Sequence, residues 1–281
     1  MMLSPLLDAA IDRALAEDLG SGDVTSEATV PEETRAVARA VAREPLIASG
    51  SAAFARVFHR IDAGVRVERL VEDGASAPPG TVLWIVEGRA RSLLAAERTA
   101  LNFAQRLCGI ATLTARFVAA VPPGNNLRIV DTRKTTPGLR VLERAAVRDG
   151  GGRNHRNDLG AAVLIKDNHV ALAGGVARAI ELAKTRAAHV TRIEVEVDTL
   201  AQLDEALAAG AEVILLDNFT NADIEEAVRR VGGRALLEVS GGVTPERIPE
   251  LARLGVPLVS SGAITHSAKS VDISLEIEPL A

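Results

Sequence analysis

Ile193-Glu194-Val195-Glu196-Val197, Val213-Ile214-Leu215-Leu216, Ala235-Leu236-Leu237-Glu238-Val239 and Pro257-Leu258-Val259 are short, largely apolar runs. They recur about every twenty residues with helix-like segments between them. Two similar runs, residues 127–130 and 162–165, precede them. Six strands mostly alternating with helices imply parallel pairing through right-handed crossovers. Repeats this close are tighter than those of many doubly wound sheets and point to an α/β fold of the (β/α) barrel kind. A parallel strand covered by helices is usually apolar throughout. In 193–197 glutamates alternate with valines instead, so if the valines face the helices both glutamates point inward.

An inward carboxylate is costly to desolvate unless a cation offsets it. Lys134, Lys166 or a bound Mg²⁺ is a candidate partner. An internal ion-pair lattice is the competing explanation; it suits Glu194 better than Glu196, which lies nearer the barrel mouth.

Functional groups in such barrels sit where the strands end. Residues 131–136 read Asp-Thr-Arg-Lys-Thr-Thr, and Lys166-Asp167-Asn168-His169 follow the next run. Asp217-Asn218, Ser240-Gly241-Gly242 and Ser260-Ser261-Gly262-Ala263 follow later ones. The last two segments stand where barrels often hold phosphate with unhindered backbone N–H groups. Between Arg128 and Lys166 there are nine Lys or Arg against four Asp or Glu, in a chain of net charge −5. That local excess predicts an anionic ligand. Arg153, His155 and Arg156, in a loop opened by Gly150-Gly151-Gly152, suit carboxylates or phosphates, because the guanidinium fork binds two oxygens at once.

The N-terminal region reads differently. Leu3, Leu6, Leu7, Ile11, Leu15 and Leu19 recur at helical spacing up to Gly20. Runs at 36–41, 65–71 and 81–86 are β-like, and 51–61 is helix-like, which makes a small α+β unit. Residues 92–120 predict a long or broken helix pair with Gly109 as its weak point. The tail 272–278 alternates strictly, a strand to pair with the N-terminal sheet. The expected divisions are therefore 1–110, 111–268 and 269–281.

The 281 residues are 47% apolar and 25% charged, enough for a sizeable core and unlike a disordered chain. Net negative charge and 2% aromatics argue against nucleic acid as a partner. Residues 1–20 lack a signal-peptide pattern, and no apolar run approaches the ~18 residues that span a bilayer. The one cysteine, Cys108, excludes an intrachain disulfide framework and multi-thiolate metal sites, and it suits a reducing cytoplasm. There is no Gly-x-Ser-x-Gly elbow and no HExxH spacing. Lys166 as a Schiff-base former, which needs apolar surroundings, stays open at this point.

Three segments together resemble the quinolinate phosphoribosyltransferase family: Thr132-Arg133-Lys134-Thr135-Thr136-Pro137-Gly138-Leu139-Arg140, Gly150-Gly151-Gly152 with Asn154-His155-Arg156, and Leu164-Ile165-Lys166-Asp167-Asn168-His169. Further matches run along the chain at 17–25, 97–102, 194–197, 216–218, 240–242 and 262–267. The chain departs from the family pattern at Arg144-Ala145-Ala146-Val147 and at residues 157–162.

The resemblance implies transfer of a phosphoribosyl group from phosphoribosyl pyrophosphate to quinolinate with decarboxylation, using Mg²⁺, on the route to NAD. It implies an incomplete barrel, whose mouth is closed by the N-terminal domain of the other subunit in a homodimer or a higher oligomer of dimers. By the same resemblance Arg133, His155, Arg156 and Lys166 would bind the quinolinate carboxylates, with Arg98 reaching across from the partner subunit and Thr132 among the substrate-binding residues. Lys134, Glu196 and Asp217 would face the ribose and the magnesium pyrophosphate. Ser240, Gly241, Gly262, Ala263 and His266 would hold the 5′-phosphate end. Lys134, Lys166, Glu196 and Asp217 would form the catalytic set, with Glu196 and Asp217 the metal ligands.

Overall fold

The computed structural model describes residues 5–280; Leu3, the first residue of the expected N-terminal helix, lies outside them. In chain order the elements are α1 (Pro5–Asp18), α2 (Val24–Thr29), β1 (Arg35–Ala42), β2 (Leu46–Ile47), α3 (Ser51–Ile61), β3 (Arg66–Arg69), β4 (Ser76–Ala77), β5 (Val82–Arg89) and α4 (Ala90–Ala119). Strands and helices then alternate: β6 (Arg128–Val130), α5 (Arg140–Asp149), β7 (Val163–Ile165), α6 (Asp167–Ala173), α7 (Val176–Arg186), β8 (Ile193–Val197), α8 (Leu200–Ala208), β9 (Val213–Asp217) and α9 (Asn221–Val231). The chain closes with β10 (Leu236–Ser240), α10 (Ile248–Arg253), β11 (Leu258–Ser260), α11 (Ala263–His266) and β12 (Ile273–Pro279).

Two compact units result, and neither is one continuous stretch. The first takes residues 1–115, 134–151 and 263–281; the second takes 116–133 and 152–262. A linear division at 110 and 268 therefore differs from the packing. Residues 134–151 join the first unit because Ser49 Oγ donates to Asp149 at 2.7 Å and because Gly150 approaches α4 so closely that a Cβ there would lie 2.4 Å from the Ala111 carbonyl oxygen.

In the first unit the sheet order is β12-β1-β5-β3, all antiparallel. β1 alternates small buried alanines (36, 38 and 40) with outward residues, leaving room for the large side chains of the core. Trp84 stacks on Phe54 at 4.5 Å, and Phe54 meets Phe58 edge-on at 5.2 Å. The Trp84 indole donates to Ser51 Oγ, which satisfies its buried N–H. The tail strand β12 pairs with β1 from Ala36–Pro279 to Ala42–Ile273, as its alternation predicts. Arg39 and Arg43 pair with Glu278 and Glu276 across this ladder.

α4 is a single 30-residue helix, not a broken pair. Gly109 is no weak point in it: a Cβ there would lie 2.0 Å from the Lys269 carbonyl oxygen. The glycine lets residues 269–270 pass against the helix, and that close approach offsets its poor helix propensity.

In the second unit six parallel strands run in the order β6-β11-β10-β9-β8-β7. The order never reverses in mid-sheet, as it does in a doubly wound sheet. Instead the first strand, β6, follows the last, β11, which is barrel order, and β6 and β7 are not paired. This is an incomplete barrel. Val195 and Val197 of β8 are wholly buried, and Thr199 and Thr220 cap the helices that follow β8 and β9 by accepting from Gln202 N and Asp223 N. Among the described residues no helix is long and apolar enough to cross a membrane.

Candidate active site

The alternation in β8 does what it predicts: the glutamates leave the valine face and meet cations and polar groups. Glu196 Oε2 accepts from Lys166 Nζ at 2.5 Å, the lysine standing directly after β7. An ammonium seated on a carboxylate is not the apolar setting that a Schiff-base lysine needs. Glu194, 7% exposed, has its Oε2 3.0 Å from His155 Nε2, so both glutamates of β8 have a basic partner, and the pairing does not separate Glu194 from Glu196.

His155 is held from three sides. Its backbone N–H donates to Asp131 Oδ1 at 2.6 Å, and Asn154 Nδ2 donates to Asp131 Oδ2. Its Nδ1 accepts from the Arg156 backbone N–H at 2.7 Å, which leaves Nε2 as the N–H that faces Glu194. Glu238 of β10 lies 3.8 Å from the same Nε2. Burial, reinforced by Glu194, pushes the Glu238 carboxyl up to about 7. Glu238 stands inside the run 235–239, where the sequence assigns it no role. The signal that reveals it is the one used for β8, a glutamate inside an otherwise apolar parallel strand. Donor atoms of His155, Glu194 and Glu238 lie within 4.8 Å of one another, close enough to ligate a cation, but the Nε2 proton already bridges the imidazole to Glu194.

Arg156 donates to the Ala162 carbonyl at 3.1 Å. Burial, followed by the like charge of Arg133, lowers its pKa below the ordinary arginine value. Glu194 and Asp158 act on it in the opposite sense, so this part-buried guanidinium stands among charges of both signs.

At the ends of β9 and β10 the backbone is tightly specified. Asn218 has φ +57°, and it donates through Nδ2 to Asp217 Oδ2 at 2.8 Å. Gly241 has φ +90°, and a Cβ there would lie 2.1 Å from Asn218 Oδ1, so only glycine fits. The register pairs Val197 with Leu216, which puts Glu196 and Asp217 at the same end of adjacent strands. Two carboxylates so placed are hard oxygen donors of the type that holds Mg²⁺ together with substrate phosphates.

Thr132, Arg133, His155, Arg156, Lys166, Glu196, Asp217, Ser240, Gly241 and Gly262 all belong to the second unit. Arg98 on α4, Lys134, and Ala263 and His266 of α11 belong to the first. Lys134, Arg98 and His266 are exposed. Cys108 is wholly buried, its thiol pushed up to about 12 chiefly by that burial, so it is no nucleophile. His59 and His189 are exposed, as expected of surface histidines.

An incomplete parallel barrel with cations and carboxylates at its strand ends defines a class, a barrel enzyme for anionic substrates. Comparison with known proteins narrows it. Residues 23–108 match the quinolinate phosphoribosyl transferase N-terminal domain, and residues 110–276 match the C-terminal domain. The nicotinate-nucleotide pyrophosphorylase [carboxylating] of Mycobacterium leprae is 46% identical over 279 residues, 96% of this chain and 98% of that protein. The chloroplastic enzyme of the same name from Arabidopsis thaliana is 41% identical, over 97% of this chain and 83% of that protein. The crystal structure of NadC from Streptococcus pyogenes superposes with a TM-score of 0.94 at 40% identity, covering 100% of each chain. The chain belongs to the quinolinate phosphoribosyltransferase family.

Proposed function

We propose that this chain transfers the phosphoribosyl group of phosphoribosyl pyrophosphate to quinolinate with loss of CO₂, giving nicotinate mononucleotide and pyrophosphate for NAD biosynthesis. What supports this is the geometry at the strand ends: Lys166 Nζ donates to Glu196 Oε2 at 2.5 Å, and Asp217 stands at the same end of the adjacent strand. A pyridine dicarboxylate is the kind of anion whose oxygens the planar forks of Arg133 and Arg156 can bind two at a time. In this reading Arg133, His155, Arg156 and Lys166 take the quinolinate carboxylates, with Thr132 beside them and Arg98 supplied by the partner subunit of a homodimer. Lys134, Glu196 and Asp217 serve the ribose and pyrophosphate, and Ser240, Gly241, Gly262, Ala263 and His266 serve the 5′-phosphate. The reducing cytoplasm is the compartment this reading assigns.

The two substrates are both anionic and repel one another in water. Cations offset that repulsion while the pyridine nitrogen is aligned with the anomeric carbon. As pyrophosphate departs, positive charge develops on the ribose ring, which a carboxylate such as Glu196 stabilises, while Lys134 stabilises the leaving group. Mg²⁺, held by Glu196 and Asp217, would supply further positive charge to the pyrophosphate. Once alkylated, the pyridinium ring is an electron sink: the neighbouring carboxylate leaves as CO₂, the pair of the broken C–C bond stays on the ring carbon beside N⁺, and that carbon takes up a proton from water to give the product.

The test is to incubate purified protein with quinolinate, phosphoribosyl pyrophosphate and Mg²⁺ and to measure nicotinate mononucleotide and CO₂. Both products in equal amounts are expected; formation of neither overturns the reading.

A further inference from the structure

Residues 131–139 contain no strand or helix, so side-chain hydrogen bonds must fix the backbone that carries Lys134. Glu143 of α5, wholly buried, does much of this: Oε2 accepts from the Thr136 backbone N–H at 3.1 Å, and Oε1 accepts from Thr136 Oγ1 at 2.7 Å. The same Oε1 accepts from Nε and Nη2 of Arg106 on α4, at 3.2 and 3.0 Å. Arg106 does not stop there. Its Nη2 donates to the Thr265 carbonyl at 2.6 Å, and its Nη1 donates to the Ala268 carbonyl at 2.6 Å. Thr265, also wholly buried, returns to the loop by donating its Oγ1 to the Lys134 carbonyl at 2.8 Å. A closed circuit of bonds thus joins α4, α5, the 134–136 backbone and α11. All of these residues lie in the first unit.

A buried ion pair is weak evidence of stabilisation, since apolar residues of equal volume often serve as well. What it supplies is direction. The planar fork of Arg106 meets a carboxylate and two carbonyls at fixed angles, a task that a flexible lysine cannot perform. Both segments that the circuit joins carry groups assigned to one substrate: Lys134 for the pyrophosphate, and Ala263 and His266 for the 5′-phosphate.

We propose that Arg106, Glu143 and Thr265 are positioning residues that hold Lys134 and the Ala263–His266 helix in register for the phosphoribosyl donor. The proposal rests on the function given above, and it predicts an effect on one substrate and not on the other.

The experiment compares KM for phosphoribosyl pyrophosphate with KM for quinolinate in wild type, Thr265→Val, Thr265→Ser, Glu143→Gln and Arg106→Lys, alongside melting temperatures. Thr265→Val keeps the side-chain volume and removes one hydroxyl. It should raise KM for phosphoribosyl pyrophosphate on the order of tenfold, with KM for quinolinate held within about twofold. Thr265→Ser, which keeps the donor, should return toward wild type. Arg106→Lys and Glu143→Gln should show the same selectivity more strongly. If either variant fails to fold, the Thr265 pair decides the matter. Equal loss for both substrates, no change in either, or failure of serine to restore the wild-type value overturns the proposal. An inactive wild type would instead overturn the functional reading itself.

Discussion

Arg133 and Glu196 serve different substrates in the proposed mechanism, and their variants should separate accordingly. Arg133→Ala removes a charge-assisted contact of about 1.5–3 kcal/mol and should raise KM for quinolinate roughly ten- to hundredfold. Glu196→Gln should leave that KM near wild type and lower kcat about a hundredfold. Steady-state kinetics with each substrate varied in turn checks both, and identical profiles would remove the assignment. Glu238 gives a pH signature. Its carboxyl is pushed from the ordinary 4.5 to about 7, so the folded state holds a proton that the unfolded chain releases. Its contribution to stability is complete below pH 4.5 and is lost as pH rises through about 7. Glu238→Gln cannot ionise, so in urea unfolding from pH 5 to 8 its stability relative to wild type should climb and level off above 7. A gap that stays constant over that range would show that Glu238 does not titrate there. Glu194 and Glu196 were legible because two charges in a parallel strand violate its apolar rule. The His155 cradle was not, because Asp131 and Glu238 are brought to it by different strands.

At the scale of elements, periodicity located the strands and helices closely. The helix expected at 51–61 is α3, and the alternating tail is β12. Gly109 misled for a definable reason. Helix propensity counts only local costs, and the close passage of Lys269, 160 positions away, is not local. The tail offers a test. Deleting residues 273–281 strips β1 of one of its two antiparallel partners, β12, together with the Arg39–Glu278 and Arg43–Glu276 pairs, and leaves β1 as an edge strand paired with β5 alone. The exposed edge should then invite association. A fall in melting temperature of about 5–10 °C and concentration-dependent light scattering are expected; an unchanged monodisperse protein would show the tail to be dispensable.

At the scale of the whole molecule, the proposed role of Arg98 makes each site depend on two subunits. Arg98→Ala and Glu196→Gln should each be nearly inactive alone. A refolded equimolar mixture should regain up to about a quarter of wild-type activity, because half of the dimers are mixed and each carries one intact site. Activity of the mixture no greater than the mean of the two variants would show that each chain completes its own site. The discontinuous units give a further reason why the chain could not be divided by composition. Segment 134–151 is sequence-adjacent to barrel strands yet packs with the first unit, through Asp149, Gly150 and Glu143.

A charge count located the cationic segment, whereas local spacing and alternation fixed the parallel barrel, the inward glutamates and the returning tail. Each of the last three depends on which side chains share a face, and periodicity encodes that directly. The partners of those side chains were decided by tertiary structure alone: His155 between Glu194 and Glu238, Gly241 against Asn218, and Arg106 bridging Glu143 to Thr265. Those pairings join residues 23 to 159 positions apart, and their distances are set by strand order and helix packing, which no window along the chain contains.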